Sequence, residues 1–250
     1  MDASPFYADW KFWSVVVSII AIALSQLPPI HMMLRRAKLE IEAYSRIVIG
    51  HKAGNPNVQL HLILSNVGGR EVKIKSMSLT FKRGKEDNFS LPAQNFFATP
   101  TDKESVLLPS FKLKPNEEWA HVTGFLNFFS RTEEKEYRQI ESDIRTDIFK
   151  KRTQLDNQEE VVEAASELVQ PLLTFFDKKF RWHPGEYEIQ LLVQAVPGSA
   201  SISKKFRVTL FESDSKELQD HKDGYKFGAG VYFDLPKHVP LILPLVSREG

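Results

Sequence analysis

Residues 12–34 read FWSVVVSIIAIALSQLPPIHMML and divide the chain into two parts of different chemistry. The stretch contains no formally charged residue, and Arg35 and Arg36 follow it directly. A helix of this length extends roughly 34 Å, whereas the hydrocarbon core of a bilayer is about 30 Å thick. The sequence therefore predicts a flank over 1–11, a transmembrane helix over 12–34 and one polar-faced domain over 37–250.

The two halves of this stretch differ in apolarity. Residues 12–24 are densely apolar, whereas Gln26 and the Pro28–Pro29 pair weaken the remainder. Because prolines remove backbone donors, we expect a kink or an extended exit over 25–29. Trp13 lies at the start, where aromatic side chains mark the membrane interface.

Two other interpretations of the stretch stay open. A cleaved signal peptide suits the apolar run and a possible cleavage site at Ala23-Leu24-Ser25, but Asp2 and Asp9 oppose the basic flank that such peptides carry. A buried core helix also suits a run of this length. Trp10 and Trp13 at the start of the run and the arginines after it favour the membrane anchor.

Basic residues on the two sides of the predicted helix indicate its orientation. Lys11 precedes it, whereas Arg35, Arg36 and Lys38 follow it. Because cytoplasmic flanks are the ones rich in Lys and Arg, we expect the C-terminal domain to be cytoplasmic, at the inner membrane of a bacterium. The absence of cysteine from all 250 residues is consistent with a reducing compartment.

Small residues recur along one face of the predicted helix. Ser14, Ser18, Ala21 and Ser25 are spaced four, three and four apart, and Gln26 lies beside them. Small side chains allow a second helix to approach, and polar ones prefer a partner to lipid. The pattern predicts self-association or capture of a protein partner, although an isolated tether could show the same spacing.

Charge and motifs exclude several function classes. With 33 basic and 32 acidic residues, the net charge is +1, which argues against a nucleic-acid binder. The sequence has no phosphate-binding loop, no dinucleotide fingerprint, no nucleophile elbow and no zinc-protease motif. The seven histidines are scattered without metal-ligand spacing. We therefore expect a protein that is not an enzyme and holds no cofactor or metal.

Alternating apolar residues predict short strands separated by turns. The alternation in 72–81 changes phase near Lys75–Ser76, which predicts a β-bulge. Residues 84–110 carry three prolines, so we expect a loop with one edge strand. About seven such strands favour an antiparallel β-sandwich. The predicted inward positions are Leu39, Ile41, Ala43, Ile47, Ile49, Val58, Leu60, Leu62, Leu64, Val72, Ile74, Met77, Leu79, Phe81, Tyr187, Ile189, Leu191, Val193, Ala195, Phe206, Val208 and Leu210.

Several of these strand segments resemble a known type of protein. Leu62-Ile-Leu-Ser-Asn-Val-Gly68, Val72-Lys-Ile74, the segment 113–119 and Pro184-Gly-Glu-Tyr187 resemble bacterial single-pass inner-membrane proteins with an immunoglobulin-like, CARDB-type domain. The resemblance covers about half of the chain. It implies an immunoglobulin-like β-sandwich that binds a partner, and it implies no catalytic residue.

A helical insertion interrupts the predicted strands over about 131–181. Ser130-x-x-Glu133 and Asp156-x-x-Glu159 predict two helix starts, and Pro171 should kink or divide the second helix. The hairpin either covers the sandwich or forms a partner-specific surface. The predicted inward residues are Tyr137, Ile140, Ile144, Ile148, Leu155, Val161, Val162, Ala165, Leu168, Val169, Leu172, Leu173 and Phe176.

The C-terminal residues predict a short helix, a strand and an apolar tail. Asp214-x-x-Glu217 should cap a helix that reaches His221, and residues 227–233 should form a last strand. Residues 235–246 are apolar and rich in proline, which excludes a central strand. This tail either packs along the domain or docks on a partner or the membrane surface.

Together these patterns predict a mainly β protein whose N-terminal helix tethers it to a lipid bilayer. The predicted function is a non-enzymatic interaction module that presents a β-sandwich at the cytoplasmic face, with a protein partner or self-association and without nucleic acid. The alternative is a membrane-active subunit whose helix assembles with itself or a partner to form or regulate a pore.

Overall fold

The structure, a computed structural model, describes residues 10–26, 35–84, 87–99, 102, 104–154, 161–234 and 239–248. Within these ranges the side chains of Gln26, Asp87 and Arg248 are not described. The predicted exit at Pro28–Pro29, the inward residue Leu155, the second capping box at Asp156 and Glu159, and part of the tail lie outside the described residues.

Antiparallel strands dominate the described residues, so the mainly β prediction is confirmed. The strands are β1 (Leu39–Ala43), β2 (Arg46–Lys52), β3 (Asn55–Asn66), β4 (Val72–Arg83), β5 (Asp87–Phe97), β6 (Val106–Leu107), β7 (Phe111–Leu113), β8 (Glu118–Leu126), β9 (Gly185–Val196), β10 (Ile202–Leu210), β11 (Leu241–Pro244) and β12 (Val246–Arg248). The helices are α1 (Trp10–Gln26), α2 (Arg131–Arg152), α3 (Ser166–Lys179) and α4 (Glu212–Asp220).

Neighbouring strands pair along one path, β11-β2-β3-β8-β5-β4-β9-β10-β12. This path contains two sheets, which are joined to each other at two corners. At one corner β5 pairs with β4 as far as Pro92 and with β8 from Ala93 onward. At the other corner β11 pairs with β2 and β12 pairs with β10, with only Leu245 between them. In an immunoglobulin-like sandwich the two sheets are separate, so this pairing does not confirm that topology.

The corner at Pro92 corrects the prediction for residues 84–110. We expected a loop with one edge strand, whereas β5 lies in the interior of the path. The proline suggested a break because it cannot donate to a ladder. Its missing N–H falls where the strand changes partners, and the register shifts between Ala93 and Asn95. The strand β5 can therefore continue through Pro92.

The core contains the predicted inward positions of the strands, and all of them are buried except the half-buried Ala43. The predicted bulge is confirmed, because Ile74 pairs with Ala195 and Ser76 with Gln194, which leaves Lys75 without a partner in this ladder. The single strand expected over 39–49 is divided into β1 and β2. Both pair with β3, and the chain bulges outward between them at Tyr44.

The first predicted helix start is confirmed. The Ser130 hydroxyl accepts a hydrogen bond from the Glu133 N–H (3.3 Å), and the Glu133 carboxylate accepts one from the Ser130 N–H (3.0 Å). The four inward residues of α2 that are described are buried: Tyr137, Ile140, Ile144 and Ile148.

The second helix differs from its prediction. It begins at Ser166, after the nonhelical residues 161–165, and the Asp147 carboxylate accepts a hydrogen bond from the Ala165 N–H (2.8 Å). Pro171 does not divide it. The proline is on the exposed side, where water can satisfy the carbonyl that has lost its donor, while Leu172 and Phe176 hold the other side in the core.

The C-terminal predictions are partly corrected. The helix α4 begins at Glu212, and Asp214 accepts a hydrogen bond from the Phe211 N–H (2.9 Å) instead of preceding the helix. Residues 228–233 form turns with one isolated bridge and not a strand, because Gly228 and Gly230 adopt positive φ, and Phe227 ends a short 3-10 helix. The described part of the tail packs along the domain as β11 and β12, which lie at the two ends of the strand path, so Pro244 falls on an edge strand.

Candidate functional site

The helix α1 exposes apolar side chains in every direction. Of its side chains that are described, only Val16 is not exposed. An exposed helix on a soluble domain normally buries one apolar stripe, whereas a helix that is apolar all round belongs in a core or a membrane. Across the described residues, no helix combines the length and the apolarity needed to cross a bilayer. The large exposed apolar residues of α1 are Trp10, Phe12, Trp13, Val15, Val17, Ile19, Ile20, Ile22 and Leu24.

The predicted small-residue stripe lies on this helix and is exposed. Its three hydroxyls bond to the backbone of their own helix: Ser14 to Lys11 O (2.8 Å), Ser18 to Ser14 O (2.8 Å) and Ser25 to Ile22 O (2.7 Å). Ala21 completes the stripe. Because each hydroxyl already has an acceptor, the stripe can enter lipid without a second helix. The orientation of Gln26 is outside the described side chains.

The two ends of β3 define two ends of the domain. The proximal end is the end of β3 at Asn66, where the chain that follows α1 joins the domain, and the distal end is the end at Asn55. The eleven steps between these two residues, at about 3.4 Å each, separate the ends by about 37 Å.

At the proximal end, the joining segment is fixed to the turn between β3 and β4. The Lys38 carbonyl accepts hydrogen bonds from Val67 N–H (3.0 Å) and Gly68 N–H (3.2 Å), and Arg36 O accepts one from Gly69 N–H (3.2 Å). A Cβ added to Gly68 would lie 2.4 Å from Arg36 O. Only glycine at position 68 therefore allows the joining segment to pass this close to the turn.

Asn66 fixes the same turn from inside the domain. Its side chain is fully buried, donates to Arg70 O (2.8 Å) and Leu113 O (2.9 Å), and accepts from Gly68 N–H (3.0 Å). The amide therefore connects the turn to β7. Breaking one of these bonds would leave a buried polar group without a partner.

The side chains of Arg35 and Arg36, both predicted as membrane flanks, are exposed at this junction. Together with Lys38 they line a shallow cleft of about 390 Å³ beside Gly68. The cleft lies directly after the residues that link α1 to the domain.

At the distal end, α3 packs on the turn between β2 and β3. Ala53 (φ 48°) and Gly54 (φ 83°) form this tight turn, and a Cβ added to Gly54 would lie 2.5 Å from Phe176 O. Trp182 Nε1 donates to Gly50 O (2.7 Å) and ties the residues after α3 to β2.

A polar cleft of about 580 Å³ opens beside the distal end and is lined by residues from β2, α2 and 221–240. His51 in its wall accepts a hydrogen bond from Gly54 N–H at Nδ1 (3.3 Å), so its Nε2–H donates to Leu218 O (2.8 Å). Both ring nitrogens are thereby engaged with the backbone. This arrangement makes His51 a structural residue and not a general base.

Tyr225 also lines the cleft, with a side chain that is 1% exposed. Its hydroxyl finds no hydrogen-bond partner among the described residues. Burial raises the pKa of Tyr225 above its usual range, so the hydroxyl remains a donor at neutral pH. Burial likewise raises the pKa of Tyr137, which donates to Val231 O (3.2 Å), to about 12.

The cleft could not be predicted from the sequence because its residues are far apart in the chain. The rings of His51 and His221 lie with centroids 5.2 Å apart and planes tilted by 50°, although the two residues are 170 positions apart. No spacing or motif could indicate this pairing. In the described ranges, no three metal-ligating side chains group together as a metal site would require.

Comparison with known proteins assigns no family to the chain. It matches no protein-family model and no curated protein.

Proposed function

We propose that this protein is a membrane-anchored interaction module, with residues 12–34 in the bilayer and the β domain displayed beside it. The single observation that carries the proposal is the exposure of apolar side chains on all sides of α1. Removing one such large side chain from water is worth about 1.5–3 kcal/mol. Nine of them in water would be costly, and lipid removes that cost.

The flanking charges support one orientation. Arg35, Arg36 and Lys38 follow the anchor, and positively charged flanks favour the cytoplasmic side. We place the domain in the cytoplasm on this basis, at a bacterial inner membrane, as the resemblance to CARDB-type membrane proteins implies.

The domain serves as a non-enzymatic binding module in this proposal, by analogy with immunoglobulin-like domains. The partner-facing surface is the distal end, because the junction places the proximal end toward the anchor. There the helices α2 and α3 and the polar cleft offer exposed, shaped surface about 37 Å from the junction.

The second candidate function, a helix that assembles into or regulates a pore, rests on the small-residue stripe. The internal hydroxyl bonds favour the simple tether over this alternative. Replacing Ser18 and Ala21 together by Ile should therefore leave membrane insertion and crosslinked species unchanged. Loss of a crosslinked oligomer in the Ser18→Ile, Ala21→Ile variant would favour the pore.

Membrane extraction of the full chain tests the anchor. An Arg at the centre of a membrane helix costs about 2.5–3.5 kcal/mol, so Ile19→Arg combined with Ile20→Arg should release the protein from washed membranes. Phe149→Arg is the matched control, because Phe149 is an exposed apolar residue of α2. If the double variant sediments with membranes as the parent does, the anchor proposal is wrong.

A further inference from the structure

Basic residues are concentrated at the proximal end of the domain. The segments 35–40, 68–75 and 112–118 meet there and contain eight basic and four acidic residues, a net charge of +4. The whole chain has a net charge of +1, so all its other residues together carry −3. The overall balance of the sequence conceals this concentration.

The four carboxylates of these segments are engaged locally. Glu40 pairs with Lys38 (2.9 Å), and Glu71 pairs with Lys112 (2.7 Å). Glu117 accepts from Lys114 N–H (2.6 Å), and Glu118 accepts from the Ser65 hydroxyl (3.1 Å).

Six basic side chains of the same segments are exposed and form no ion pair within the described part of the chain: Arg35, Arg36, Arg70, Lys73, Lys75 and Lys114. We call them the proximal basic surface. With Glu117 and Glu118 counted against them, these segments keep a net charge of +4.

Strand pairing holds these residues around the junction. Lys73 pairs with Lys112 across β4 and β7, and Asn66 bonds to both Arg70 O and Leu113 O, next to Lys114. Arg35 is nine positions after Gln26, so it lies no farther than about 32 Å from the end of α1. Because the proposed anchor ends at residue 34, Arg35 and Arg36 follow it directly, and this places the surface next to the lipid headgroups.

We propose that the proximal basic surface binds the acidic phospholipid headgroups of the membrane that holds α1. This inference rests on the proposed function, because the anchor brings the surface to the bilayer. Basic residues beside a membrane are attracted to anionic lipid within about a Debye length, which is about 8 Å at physiological salt. The contact fixes the proximal end on the membrane and directs the distal end away from it.

Energy transfer to lipid tests this arrangement on the full chain. Since the protein has no cysteine, Ser199→Cys places one dye on an exposed turn at the proximal end, and Thr132→Cys places one on α2. Each protein is reconstituted in vesicles of phosphatidylcholine alone or with phosphatidylglycerol, both containing a headgroup acceptor dye. Sedimentation of the neutral vesicles measures the anchor separately.

We expect phosphatidylglycerol to raise transfer from position 199 and not from position 132. The rise should be lost in a triple variant that combines Arg70→Gln, Lys73→Gln and Lys114→Gln. It should be kept in a control triple variant that combines Lys135→Gln, Lys150→Gln and Lys216→Gln, because this control removes the same charge elsewhere. It should also be lost at about 1 M salt, where the Debye length is about 3 Å.

The outcomes separate the two proposals. Failure to sediment with neutral vesicles contradicts the anchor. Sedimentation with equal transfer from position 199 in both lipids, or an equal loss of transfer in both triple variants, overturns the headgroup proposal and leaves the anchor intact.

Discussion

The two ends of β3 are built differently although one strand joins them. At the proximal end, buried hydrogen bonds of Asn66 and a glycine crossing hold the chain, and the surface is basic. At the distal end, aromatic side chains and two helices cover the strands, and a polar cleft opens beside them. Polar contacts therefore fix the proximal end, whereas aromatic packing fixes the distal end.

Replacing one tryptophan at each end should give the largest difference in the free energy of unfolding. Trp182 is buried at the distal end, where its ring meets Phe81 and Phe89 edge-on, each with centroids 5.5 Å apart. Trp119 at the proximal end is half-buried and stacks on Phe111 at 5.0 Å. Trp182→Ala should lower the free energy of unfolding by about 3–5 kcal/mol, and Trp119→Ala by about 1–2 kcal/mol, measured by urea unfolding. Equal losses would contradict the described difference in burial.

Two glycines provide a second matched pair. Gly54→Ala places a Cβ against the Phe176 backbone at positive φ, and should cost about 2–4 kcal/mol and loosen α3. Gly68→Ala meets Arg36 O instead, and should loosen the junction with a smaller loss because its φ is not positive. Hydrogen exchange locates the change: amides of α3 should lose protection in the first variant only. Loss of α3 protection in both variants would mean that the ends are coupled.

Local sequence signals predicted much of this fold. Alternation located the core of β3, β4, β9 and β10, and the phase change at Lys75 located the bulge, because burial on one face imposes a period of two. The capping box at Ser130 similarly located the start of α2. These features depend on residues close together in the chain.

Features that depend on distant residues were not predicted. The corner at Pro92 requires β4 and β8 on its two sides, and the distal cleft requires His51 and His221 from opposite parts of the chain. The positive charge of the proximal end also depends on three segments, 35–40, 68–75 and 112–118, which are separate in the sequence and meet only in the folded domain. No short segment of the sequence indicates the corner, the cleft or the concentration of charge.

A smaller, pH-dependent effect is expected at the distal end. A hydrogen bond from Lys179, with another from the Ser130 N–H, lowers the pKa of Glu133 from 4.5 to about 2. Because the folded pKa is lowered, this stabilisation is complete above pH 4.5 and is lost as the pH falls toward 2. Glu133→Gln should therefore cost about 1 kcal/mol at neutral pH, and this cost should shrink as the pH falls toward and below 2.

Urea unfolding at several pH values measures this dependence, with the exposed Glu136→Gln as control. The control should follow the parent at every pH. A constant difference between Glu133→Gln and the parent across this range would show that the carboxylate does not contribute as described.

Cysteine accessibility in isolated membranes measures whether α1 lies in the bilayer. Because the chain has no cysteine, Ile20→Cys and Thr132→Cys each carry one reactive thiol. With a water-soluble maleimide applied to membranes open on both sides, Thr132→Cys should react at once, and Ile20→Cys should react only after detergent is added. Equal reaction of both thiols before detergent would show that α1 lies in water and not in the bilayer.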